Sequence, residues 1–79
     1  MIVIVFHKYR YIIEVMMASI TIGTEKVSVK HGVTIEKAMI SLGKHPDAFL
    51  FFLNGRPIPM TTVLENDMTV ETLRVASGG

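Results

Sequence analysis

An apolar run closed by Asn-Gly leaves a chain few choices. Ala48-Phe49-Leu50-Phe51-Phe52-Leu53 is apolar at every position, and Asn54-Gly55 follows it directly. A type I′ turn needs positive φ at both central residues, which Gly adopts freely and Asn tolerates. The pair therefore folds a strand back on itself within two residues. Arg56-Pro57-Ile58-Pro59 is the return arm. Its prolines have no N–H to give to a ladder, so this arm is a short edge strand or an irregular segment.

The elements on either side follow from the same kind of reading. Ser19-Ile20-Thr21-Ile22 alternates polar and apolar, Gly23-Thr24-Glu25 turns, and Lys26-Val27-Ser28-Val29-Lys30 alternates again, a β-hairpin. His31-Gly32 ends the second strand. A helix follows: Thr34 is placed as its N-cap, and Val33 can staple onto Ala38 one turn inside. Ile35, Ala38, Met39 and Leu42 recur at helical spacing and make one apolar face. Gly43 suits the C-terminal cap, and Pro46 prevents the helix from resuming. Met60 to Glu65 crosses over without a clear period, Asn66-Asp67 turns, and a last strand runs from about Thr69 to Val75. The order is β-β-α-β-(short β)-β, an α+β domain with four to five strands and one helix packed across one face of the sheet.

Seventy-nine residues make one small domain, near the size at which a single core suffices. The 49% hydrophobic content compensates for that size. A net charge of +1 without a block of like charges gives no footprint for nucleic acid. The absence of cysteine excludes disulfides, thiolate metal sites and a nucleophilic thiol of the chain's own. Met1 to Phe6 is apolar but too short for a membrane span, with His7, Lys8 and Arg10 interrupting it, and it lacks the marks of a signal peptide. A cytoplasmic protein is the expectation. The segment 1–15 alternates around Tyr9, Tyr11 and Ile13; it is either an additional strand or an extension upstream of a natural start at Met16 or Met17. The domain proper is then 16–77, with 78–79 as a tail.

Few side chains offer chemistry. His7, His31 and His45 have no metal-ligand spacing, and Asp47, Glu65 and Asp67 fall in loops or turns, where solvating or capping roles suit them. No glycine-rich phosphate loop is present, since Gly43 and Gly55 are accounted for as a cap and a turn. Strand alternation marks one candidate surface. If Phe51 and Leu53 face the helix, then Leu50 and Phe52 face away from it. On the last strand Val70 points inward, with Glu71 and Leu73 outward. Leu50, Phe52 and Leu73 would form an exposed apolar patch, which often marks a partner-docking surface; the alternatives are a cover by the N-terminal segment or self-association.

The sequence closes on Ser77-Gly78-Gly79. This is either a frayed tail or a functional stem: without Cβ atoms, a Gly-Gly stem can thread its carboxylate into a narrow active site. Taken with Leu53-Asn54-Gly55-Arg56-Pro57-Ile58-Pro59 and the element order, residues 16–79 resemble the β-grasp, ubiquitin-like sulfur carriers. That family includes the thiamine-biosynthesis sulfur carrier and the small subunit of molybdopterin synthase. The compact core looks most like the thiamine type. Carriers of this kind commonly have an Asp-Gly-Asp-like turn before the last strand, where this chain has Asn66-Asp67-Met68, a turn that can form with Asn66 at positive φ.

The resemblance implies a use for Gly79. A partner enzyme of the ubiquitin-activating type would adenylate its carboxylate with ATP and Mg²⁺. Sulfur from a persulfide donor would then convert the acyl-adenylate to a thiocarboxylate, for delivery to an acceptor such as thiazole synthase. Gly79 would be the covalent site, with Gly78 and Ser77 as its stem, and the chain would be a substrate of other enzymes with no catalytic residue or bound cofactor of its own. The alternatives are a modifier joined through Gly79 to target lysines, a carrier for molybdopterin synthesis or tRNA thiolation, and a non-catalytic binding module.

Overall fold

A computed structural model describes residues 17–75. Within them the chain forms β1 (Met17–Ile22), β2 (Glu25–Lys30), α1 (Ile35–Ser41), a 3-10 turn at Pro46–Ala48, β3 (Phe49–Leu53), β4 (Arg56–Ile58) and β5 (Thr69–Arg74). The strands make one five-stranded mixed sheet in the order β2-β1-β5-β3-β4. β1 and β5 pair in parallel at its centre, and the other neighbours are antiparallel.

Local chemistry explains most of these boundaries. Asn54 and Gly55 both have positive φ, 53° and 80°, and Leu53 pairs with Arg56 across them, as a two-residue type I′ turn requires. The first hairpin is tighter than its sequence suggests. Glu25 is the first residue of β2, paired with Ile22, and only Gly23 of the two turn residues has positive φ, the pattern of a type II′ turn. β4 lies at an edge, where Pro57 costs no ladder bond.

Both ends of α1 are closed by the protein itself. Thr34 caps it, its side-chain oxygen accepting from the Lys37 N–H at 3.2 Å. At the C-terminus, Lys44 N–H donates to Met39 O and Gly43 N–H to Ile40 O, with Gly43 at φ 78°, which is the Schellman arrangement. The helix buries Ile35, Ala38 and Met39 against Ala18, Ile20 and Val29 of the hairpin and Phe49, Phe51 and Val70 of the later strands. Leu42 is only partly buried at the rim.

The segment between β4 and β5 is more than a connector. Leu64, within the stretch that shows no period, is fully buried in the core. Its N–H donates to Val33 O and its carbonyl accepts from Gly32 N–H, while Ile35 and Glu36 N–H donate to the carbonyls of Thr62 and Met60. With Thr34 taking the Lys37 and Ala38 N–H groups, every free donor of the helix's first turn has a protein partner. The following turn departs from the expected geometry: the residue at positive φ is Asp67, at 67°, and not Asn66. Met68 N–H closes the turn onto Glu65 O, which makes Asp67 its third residue, the one that takes positive φ in a type II turn. The Asp67 N–H donates to Met17 O, tying the turn to β1. Ala48, grouped with the apolar run by sequence, lies in the 3-10 turn.

Candidate docking face

Helix α1 covers one face of the sheet, and the strand alternation sets what the other face presents. In β3, Phe49 and Phe51 are buried, whereas Leu50 is 48% exposed and Phe52 half-buried. In β5, Val70 is fully buried and Glu71 and Leu73 are exposed, Leu73 at 56%. The expected parity therefore holds at Phe51, Val70, Leu50, Phe52, Glu71 and Leu73. Leu53, expected to face the helix with Phe51, is half-buried and is not among the side chains packed against the core.

Register decides which of the candidate residues meet. Leu50 and Leu73 are directly opposite on antiparallel neighbours, so two exposed leucines form one cross-strand pair. Phe52 is a step removed: its direct partners are Glu71 on β5 and Pro57 on β4, and Leu73 lies on the diagonal. Sequence alternation placed Phe52 on the right face but did not reveal that a carboxylate stands beside it. From the free edge inward, the same row continues through Thr21 of β1 to Lys26 of β2. The face is thus apolar towards β3 and β4, carries Glu71 at its middle, and is basic at β2.

The strand that carries Leu73 is firmly held up to the point where the described residues end. Thr72 Oγ1 donates to Thr21 O at 2.7 Å, joining β5 to β1 through a side chain. Arg74 lies with its guanidinium carbon 5.7 Å from the centroid of the Phe49 ring, in cation-π range. Val75 N–H donates to Ala48 O at 2.9 Å, the last anchor of the strand. Alternation gives Arg74 the inward parity, and its length lets it lie along the ring with its head in water. The paired leucines therefore sit two positions before this anchor. Ser77, Gly78 and Gly79, where the chemistry is expected, lie outside the described residues, as does the segment 1–16.

Nothing in the described residues gathers a reactive cluster. No group of three His, Cys, Asp or Glu side chains is placed to hold a metal among them. The first turn of α1 has no donor left for an anion, for the reasons given above. Among the described residues no helix is long and apolar enough to cross a membrane. No protein-family model matches the chain, and no curated protein matches it either.

Proposed function

We propose that this chain is a sulfur carrier of the β-grasp, ubiquitin-like kind, which presents the Gly79 carboxylate to partner enzymes. The observation that carries the reading is the exposed Leu50–Leu73 pair, two residues before β5 makes its last bond and continues towards Gly78-Gly79. A partner that seats on this pair has the root of the tail within its footprint. The mixed sheet with a parallel central pair and one helix across one face is compatible with the β-grasp.

The chemistry belongs to the partners and is simple to write. The Gly79 carboxylate attacks the α-phosphorus of ATP, releasing pyrophosphate and leaving an acyl-adenylate. A sulfide equivalent from a persulfide displaces AMP and leaves the thiocarboxylate, while a thiol takes up the oxidising equivalent of the persulfide as a disulfide. The good leaving group is what makes the carboxyl carbon attackable. A chain without cysteine can carry sulfur in this way. We propose thiamine thiazole synthesis as the destination of the sulfur.

The test combines the protein with a ubiquitin-activating-type enzyme from the same genome, ATP, Mg²⁺ and a persulfide donor. Mass spectrometry should then find the mass gain of one oxygen-to-sulfur exchange on the peptide that contains Gly79. Leu50→Ser and Leu73→Ser should each lose about 1–2 kcal/mol of docking energy, about tenfold in kcat/KM for adenylation. Gly-Gly remnants on lysines of other proteins, without a thiocarboxylate, would replace this reading by that of a modifier. No ATP-dependent change at Gly79 at all would end both.

A further inference from the structure

Beside the β2 edge lies a second feature that the docking face does not involve. A cleft of about 320 Å³ opens between β2 and α1, walled by Met17, Val29, Val33, Ala38 and Leu42. Lys30 and Lys37 stand on its lining as well. β2 is an edge strand, so the outer side of its backbone has no strand partner among the described residues. Proteins usually cover such an edge with chain of their own or blunt it with charge.

We propose that the occupant of this cleft is the N-terminal segment of the same chain, with Ile13 and Val15 as the inserted side chains and Glu14 at the rim. Three observations converge on that segment. Met17 is both the first residue of β1 and part of the cleft wall, so the preceding residues are tethered at its mouth. Three extended residues reach about 10 Å, enough to cross a cleft of this kind. The composition fits too: residues 12–16 read Ile-Ile-Glu-Val-Met, apolar but for Glu14. Glu14 is the sole acidic residue before Met17, and Lys37 of α1 stands on the cleft lining to receive it. Tethering raises the local concentration of the segment to the millimolar range, so modest contacts suffice.

A second copy of the chain is the weaker occupant on these observations, because it brings no tether. The inference is independent of the chemistry at Gly79. It gives the N-terminal segment a structural role, that of covering an edge and an apolar cleft.

The absence of native cysteine makes the test clean. In the full chain, Ile13→Cys is combined with Ser41→Cys, at the cleft, or with Leu50→Cys, on the opposite face of the sheet. Under mild oxidation the Ser41 pair should close an intramolecular disulfide at least about tenfold faster than the Leu50 pair, the advantage that local concentration confers. Glu14→Lys should slow that closure, and adding Lys37→Glu should restore it. Closure that is faster with Leu50, equal for both pairs, or insensitive to Glu14 would overturn the proposal. So would cross-linking between molecules whose rate rises with protein concentration, which would assign the cleft to a second copy.

Discussion

Leu64→Ala tests whether the stretch between β4 and β5 is a connector or part of the core. Leu64 is fully buried, while its neighbour Val63 is 50% exposed. Truncation removes three carbons from the interior, at about 0.8 kcal/mol per buried methylene, or about 2.4 kcal/mol of transfer energy. The backbone around Leu64 cannot collapse freely into the space, because its N–H and carbonyl are bonded to Val33 and Gly32. The residual cavity therefore adds to the loss and brings it to about 3–4 kcal/mol. A domain of this size holds only about 3–5 kcal/mol in total. Leu64→Ala should thus sit near its own unfolding midpoint in buffer, so Leu64→Val, which removes one methylene, gives the measurable step of about 1 kcal/mol. Urea unfolding followed by far-ultraviolet circular dichroism reads both, with Val63→Ala as the exposed control at under about 0.5 kcal/mol. If Leu64→Ala costs no more than Val63→Ala, the reasoning that places this segment in the core is wrong.

Two further expectations concern the caps and turns. Thr34→Ala should cost about 1 kcal/mol, the usual loss for an N-cap, and Thr34→Ser under about half of that, because the hydroxyl that accepts from Lys37 is kept; thermal unfolding of the pair measures it. Gly55→Ala should cost about 1 kcal/mol for conformational reasons alone, since Gly55 is at φ 80° and a Cβ there would meet nothing within 4 Å. A much larger loss would mean that the turn is crowded.

Each interpretable stretch of sequence has a strictly local cause. Asn54-Gly55 specifies a turn through φ alone, Thr34 caps through its own hydroxyl, and Gly43 ends the helix through a conformation that few other residues adopt. The two faces of β3 and β5 could be assigned because side chains alternate along any strand. Leu50, Phe52 and Leu73 were therefore placed on the right face from sequence.

What escaped the sequence depends on partners far along the chain. Leu64 gives no periodic signal, since it occupies the core as a single side chain held by bonds to Gly32 and Val33. Asp67, not Asn66, takes the left-handed conformation because the turn closes from Met68 N–H onto Glu65 O with Asp67 in its third position, and a bond from Asp67 N–H to Met17 O holds that turn against β1. The cleft beside β2 exists only where Met17, Val29 and Leu42 converge from three parts of the chain. The same holds for the candidate site. By itself the sequence determined the helix ends, the hairpin turns and which residues leave the sheet on each face, all effects that act within a few residues. Only the tertiary structure decided that Leu50 meets Leu73, that Glu71 stands beside Phe52, and that β5 lies between β1 and β3. Strand order and register are settled by how separate segments bury their apolar faces together, and no local pattern encodes that choice.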